Sequence, residues 1–295
     1  MHRFLVALFV VPAIGLAQGT STSSSQLKLP LEARAAALGE AVVSDAGNLS
    51  SSIINPANIA TIAGNEISFS YSSWIQDVQS EYLSVGLPLS VGGLGISIAS
   101  TGVNNIEVRE RPGPPSGSFS SRFVTMSVSF AASLPEGLFA GLRASYLYQK
   151  IYVDDASGYG IDMGMGVSDV FEGMSLGASL VNVGKLGAFR SSSSDLPILL
   201  RFGGSYRLHA GDFTFTAYPS YSRELKESSS HALLGGEIQF RDLVAFRIGY
   251  QSGYSTRGFS AGIGLAYGFA SLDYGYVPFA AGLGDAHIAS FQIRF

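Results

Sequence analysis

Apolar and polar residues alternate with a period of two along most of this chain. From Ile198 to Leu208, even positions are mostly large and apolar, while odd positions include Arg201, Gly203, Ser205 and Arg207. Val244, Phe246, Ile248 and Tyr250 stand against Ala245, Arg247, Gly249 and Gln251, and Ala289, Phe291, Ile293 and Phe295 stand against Ser290, Gln292 and Arg294. Successive side chains of a strand point to opposite faces, so this pattern predicts strands with one apolar face. About 14 such segments recur, near 65–72, 78–89, 93–103, 120–133, 138–151, 158–168, 173–183, 196–208, 211–223, 230–240, 242–252, 257–268, 270–279 and 286–295.

A soluble sandwich and a membrane barrel share this alternation. Segment length separates them, because many segments reach the roughly 10 residues that a tilted strand needs to cross a bilayer. So does the polar face, which is mostly Gly and Ser rather than the Lys and Glu of a wetted surface. Charged residues make up only 14% of the chain, which has 36 glycines and a net charge of −4. Connections also alternate in length. Ser90-Val91-Gly92, Leu134-Pro135-Glu136-Gly137, His209-Ala210-Gly211 and Arg241-Asp242 read as short turns, while 104–119, 152–157, 184–195, 223–230 and 279–285 read as longer loops. Short turns at one end and longer loops at the other are the habit of outer-membrane barrels. The expected fold is an all-β, transmembrane antiparallel barrel of about 14 strands, occupying 64–295.

The N-terminus reads as an export signal over residues 1–17. His2 and Arg3 precede an apolar run from Phe4 to Ala17, interrupted by Pro12 and too short to span a bilayer as a helix. Cleavage is expected after Ala17, with delivery to the bacterial outer membrane. Residues 18–63 read as a partly helical plug. Thr20 to Ser25 is a polar linker, and Leu31, Ala35, Leu38 and Val42 then form a helical stripe. Asp45 to Ser52 reads as a polar turn region, and Pro56 should end a helix at Asn55. A barrel of this size is wider than its own side chains fill, so this segment is expected in the lumen.

Chemistry-bearing motifs are sparse. The chain contains no cysteine and no basic excess, which excludes thiolate sites and argues against nucleic acid as a partner. No metal or cofactor motif appears. Gly258-Phe259-Ser260-Ala261-Gly262 matches a nucleophile-elbow pattern, but that elbow belongs to a strand-to-helix turn and this stretch reads as strand. A Ser260–His287 dyad at the external rim is the one enzymatic alternative, a lipid hydrolase; the expectation is a non-enzyme. Strand parity places Arg143, Asp162, Arg201, Arg207, Glu237, Arg247, Asp273 and Arg294 in the lumen. Confined charges are costly unless paired, so a network tying plug to wall is expected, with an anion-favouring lining as the alternative. Tyr206, Tyr250, Tyr267 and Tyr276 read as girdle residues at the lipid interface. The closing run with Phe291, Ile293 and Phe295 resembles the signal read by barrel-assembly machinery.

The run Leu29-Pro30-Leu31-Glu32-Ala33-Arg34-Ala35-Ala36-Ala37-Leu38-Gly39-Glu40-Ala41, followed by Asn55-Pro56-Ala57, resembles the opening of the PorV/PorQ family. That family is similar to the FadL-type fatty-acid transporters, whose plug also carries an Asn-Pro-Ala element. The stretches from Leu196 to Gly204 and from Leu272 to Phe295 resemble a mid-barrel segment and the closing hairpin. Gly39-Glu40-Ala41 departs from the family, which often has Gly-Met-Gly-Gly there. The resemblance implies a plugged barrel of 14 strands linked to type IX-like secretion, with secretion proteins or exported substrates as partners beside membrane lipid. The alternative it carries is a FadL-like passive conduit for apolar small molecules.

Overall fold

The computed structural model describes residues 24–109, 111–189 and 192–295. The expected signal segment and most of the polar linker lie outside them. The strands are β1 (Glu66–Ser73), β2 (Val78–Leu89), β3 (Gly92–Val108), β4 (Gly117–Ser133), β5 (Leu138–Ile151), β6 (Asp154–Phe171), β7 (Met174–Phe189) and β8 (Ser192–Asp195). They continue as β9 (Leu199–Ala210), β10 (Phe213–Glu224), β11 (Ser230–Phe240), β12 (Val244–Gln251), β13 (Phe259–Tyr267), β14 (Ala270–Pro278) and β15 (Asp285–Arg294). Each wall strand pairs antiparallel with its neighbours, and β1 closes the ring on β15 through Phe69↔Phe291 and Ile67↔Ile293. With β8 set aside as a short appendage on β7, the closed wall has fourteen strands.

The wall is apolar outside and polar inside. In β1, Glu66, Ser68, Ser70 and Ser72 are buried toward the lumen, while Ile67, Phe69 and Tyr71 face out. Ile248 and Phe259 leave 69% and 70% of their surface uncovered. Such a continuous apolar exterior is tolerable only in lipid, where a closed ladder also satisfies the backbone. The chain is a membrane-spanning barrel. Tyr206, Tyr250 and Tyr267 are on this exterior.

Several expected loops are shorter than the sequence suggests. Strands β3 and β4 stay paired as far as Val108↔Gly117, so the proline-rich loop covers 109–116, not 104–119. A bulge at 104–105, with Asn105 at φ 57°, breaks the alternation there and hides the continuing strand. The turn between β5 and β6 is Tyr152-Val153 alone, and 184–195 contains the end of β7 and the short β8. At the end of the barrel holding Asn65 and Phe295, called here the near end, connections are tight. The other end is the far end.

Residues 24–63 sit inside the ring. The expected helical stripe is mostly irregular: helix α1 covers only Ala33–Ala37. Glycine ends it. The Gly39 N–H donates to Ala36 O (3.1 Å) and the Glu40 N–H to Ala35 O (2.8 Å), a Schellman pattern with Gly39 at φ 62°. Leu31, Ala35, Leu38 and Val42 are nevertheless all buried. The start of α1 is capped from the wall, its Ala33 N–H donating to Ser290 Oγ (2.8 Å). Wall glycines let the helix lie this close: a Cβ at Gly275 would stand 2.7 Å from Ala33 O.

Candidate functional site

The Asn-Pro-Ala element anchors the plug. Pro56 holds Asn55 extended (φ −141°, ψ 107°), as expected, but Asn55 starts a helical turn rather than ending one. Its Oδ1 accepts from the Ala57 N–H (3.0 Å), capping the 3-10 turn Pro56–Thr61. Its Nδ2 donates to Val43 O (2.7 Å) in the plug and Met165 O (3.2 Å) in the wall. Asn55, Pro56, Ala57 and Val43 are all buried, and the wall makes room for Asn55 with Gly164, where a Cβ would collide with Asn55 Oδ1. Asn55→Ala removes the donor to Val43 O and the acceptor of the Ala57 N–H, both buried. A stranded buried group costs about 1–3 kcal/mol. The variant should therefore lower the unfolding midpoint in denaturant, most clearly in the emission of the single tryptophan, Trp74, which shares a packed cluster with Ala33 and Ala36 of the plug.

The lumen charges form pairs. Arg143 and Asp162 stand directly opposite on β5 and β6 and pair at 2.5 Å; Arg143 also donates to Ser52 O (3.2 Å) and Ile53 O (2.9 Å) of the plug. Glu237 and Arg247 are opposite on β11 and β12 (2.6 Å), and Arg247 also reaches Asp273 (2.5 Å). Arg201 pairs with Glu40 of the plug (3.0 Å). Two expected members stand apart. Arg294 pairs with Glu66 at the near end but leaves 53% of its side chain exposed. Arg207 is exposed and makes no ion pair among the described residues.

The plug side of this network was not read from the sequence. Arg34 is its hub, paired with Asp45, bonded to Glu237 through two nitrogens (3.1 and 3.2 Å) and to Tyr218 Oη (3.0 Å). Burial works against its charge, but Asp45 and Glu237 outweigh that and hold the guanidinium firmly protonated. Arg257, from the β12–β13 loop, folds inward to Glu40 (3.5 Å) and stacks over Tyr254 (4.2 Å). The legible signal was Glu32, Arg34 and Glu40 standing within an otherwise apolar run.

Above the plug, in the far half of the lumen, lies a cavity. Its free volume, taken as the room open to the centre of a water-sized sphere, is about 80 Å³. Tyr82, Phe123, Leu147, Val181, Leu196 and Leu199 line its walls, and Ile53 and Ile54 of the plug line it too. Gln26 to Leu31 also line it and are tied to the far rim by Lys28, which pairs with Glu224 (3.1 Å) and Glu227 (3.6 Å). The paired charges Arg201 and Glu40, and Arg143 and Asp162, also line it, and the Nε of Arg201 is buried without a hydrogen-bond partner. Below the plug, toward the near end, a polar hollow with about 540 Å³ of room on the same measure is lined by Asp45, Glu172, Arg207 and His209.

Beside the cavity the wall's ladder is interrupted. Strands β8 and β9 lie on the same side of β7 in one register, through Lys185↔Asp195 and Val181↔Leu199. Between these pairs, Asn182–Gly184 and Leu196–Ile198 are not paired with each other across this seam, although Val183 and Gly184 stay paired with β6 on the other edge, and Pro197 has no N–H to give. A side-chain bond from Asn182 Nδ2 to Pro197 O (3.1 Å) spans the break. On its other edge, β7 carries a one-residue bulge against β6 where Asn182 takes φ 63°.

The expected Ser260–His287 alternative is not assembled. Ser260 is buried in the lumen, donating to Ala37 O of the plug (3.0 Å), whereas His287 is on the outer face with Tyr274 Oη (2.7 Å). The odd residues of β15 face out, and His287 follows that parity.

No family model and no curated protein matches the chain. Solved structures do. The toluene transporter TodX of P. putida superposes with a TM-score of 0.61 at 10% identity, over 90% of this chain and 98% of that one. The CymD monoaromatic hydrocarbon channel gives 0.62 at 10% identity, over 90% and 97%. A FadL homologue of Pseudomonas aeruginosa gives 0.53 at 10% identity, over 88% and 97%. This chain therefore has the fold of those barrels. None of these structures is specific to the PorV/PorQ reading.

Proposed function

We propose that this barrel is a passive outer-membrane conduit for apolar small molecules. The observation that carries the reading is the apolar cavity in the far half of the lumen, set directly against the interrupted ladder. A concave space whose exposed lining is mostly apolar, with its charges paired off, suits an apolar ligand. Shared architecture with hydrocarbon channels supports the same reading, and supports it better than a secretion role.

The cavity has two ways out. Passing the plug means breaking the pairs that Arg34 makes with Glu237 and Glu40 makes with Arg201, and opening a buried ion pair costs about 3–5 kcal/mol. Passing between β7 and the β8–β9 row breaks one side-chain hydrogen bond, a net cost of about 1 kcal/mol. On this reading cargo enters at the far end and leaves sideways into the bilayer, while the plug stays in place and keeps water and ions out.

Uptake by intact cells tests this. An outer membrane rich in lipopolysaccharide excludes apolar probes, so N-phenylnaphthylamine should light up faster in cells expressing the barrel than in cells with an empty vector. Equal rates would remove the conduit reading.

Residues Phe291, Ile293 and Phe295 belong to the same proposal as an assembly signal. Phe291 and Phe295 face outward on the closing strand, Phe295 with 67% of its surface uncovered. Phe295→Ala should reduce the amount of heat-modifiable, folded barrel in the outer membrane several-fold while leaving synthesis unchanged. Unchanged yield would make these residues ordinary wall positions.

A further inference from the structure

Seven carboxylates are buried among the described residues. Six have a cation: Glu40 has Arg201, Asp45 has Arg34, Glu66 has Arg294, Asp162 has Arg143, Glu224 has Lys28 and Glu237 has Arg247. Glu32 is the seventh. It is 1% exposed and has no cation partner among the described residues. Ser68 Oγ of β1 donates to its Oε1 (2.9 Å), and Ser290 of β15 lies against it while bonding Ser70 Oγ (2.9 Å). The titratable groups facing it do not help its charge. From β14 comes Asp273, an acid already held by Arg247, and from β2 comes Tyr82. On its own segment, Arg34 is committed to Asp45 and Glu237.

Position makes this carboxyl consequential. Glu32 directly precedes α1 and directly follows the strap, Ser24–Leu31, most of which lines the cavity. The strap is weakly held: Ser24 Oγ and Gln26 Nε2 are buried without partners, and its polar tether is Lys28 at the rim. A segment with unsatisfied polar groups and few fixed bonds is the first to open.

We propose that Glu32 is a proton-operated latch, which holds the strap over the cavity when protonated and frees it when ionised. The ligand of this switch is a proton, and the device rests on the reading of the cavity as the cargo site. Burial, with no cation to offset it, pushes the Glu32 carboxyl up to about 7 from 4.5. The docked strap therefore keeps its proton over a range where a released one has lost it. Docking weakens as pH rises from about 4.5 to about 7 and then levels off, because both states are ionised above that. Between pH 5 and pH 8 the released population should rise roughly 70-fold.

Hydrogen exchange read by mass spectrometry on the full barrel measures that population directly, once rates are divided by the intrinsic pH dependence of exchange. Protection of the amides of residues 25–32 should fall roughly 70-fold from pH 5 to pH 8 in the wild type, while those of α1 stay level. In Glu32→Gln, which keeps the shape of the protonated form, it should stay level. In Ser68→Ala, loss of the donor that favours the carboxylate should move the transition to higher pH. The same fall in Glu32→Gln as in wild type overturns the latch, and so does an unmoved transition in Ser68→Ala. Exchange reads the strap and not the cargo. A barrel that shows the transition but takes up no probe keeps the latch and loses the conduit; one that takes up probe without the transition does the reverse.

Discussion

Arg34→Met is expected to turn a barrel that is closed to ions into one that conducts. The guanidinium joins Asp45 of the plug to Glu237 and Tyr218 of the wall, with 10% of its side chain exposed. Methionine fills much of the same space and supplies no charge. Glu237 keeps Arg247 as a partner, but Asp45 is left as a buried acid with none of its cations. Removing one member of a buried pair costs about 3–5 kcal/mol, which multiplies the undocked population by roughly two to three and a half powers of ten. Wild-type barrels in a planar bilayer should stay silent, and Arg34→Met should show frequent stepwise openings. Adding Asp45→Asn, which removes the stranded charge, should restore much of the closure. Silence in all three proteins would mean that packing, not this ion pair, holds the plug.

Ala99→Trp is expected to reduce uptake of an apolar probe by at least about tenfold, equivalent to 1.4 kcal/mol of lost affinity. Ala99 points into the cavity from β3, opposite Thr125 of β4, and both line it. An indole placed there occupies space that cargo needs. Overpacking a filled core costs about 1–3 kcal/mol, but here the added ring enters open volume. The barrel should therefore keep its heat-modifiable mobility while its cells take up N-phenylnaphthylamine at close to the vector rate. An outward substitution such as Ile98→Trp, on the lipid face of the same strand, should leave uptake unchanged. If both variants take up probe like wild type, cargo does not pass through this space.

The wall was legible because its physics is local. Period two over fourteen segments, glycine and serine on one face and apolar bulk on the other, is written residue by residue. Where the reading fell short, a local irregularity interrupts the period. Asn105 in the β3 bulge and Asn182 in the β7 bulge each shift the register and disguise a continuing strand as loop. Parity also explains Arg143, Asp162, Glu237 and Arg247, which face inward and meet directly opposite partners. Parity says nothing of height along the barrel, which is why Arg207 and Arg294 were grouped with residues they do not meet. The plug resisted a periodic reading because it is mostly irregular chain. Its helix stops at Gly39, and its partners are set by wall residues some 160 to 210 positions away, as in Arg201 with Glu40 and Gln251 with Gly39. The cavity was illegible for the same reason: it is the space left between a wall and a plug, and no single segment encodes it.

The reading that apolar molecules occupy this cavity is tested most directly by native mass spectrometry of the barrel gently extracted from its own outer membrane. A small apolar adduct on the wild type, absent from Ala99→Trp prepared in parallel, is the result the account predicts. A bare barrel carrying no small molecule, or one that retains a stoichiometric folded protein in its place, would contradict it and return the secretion role to the front.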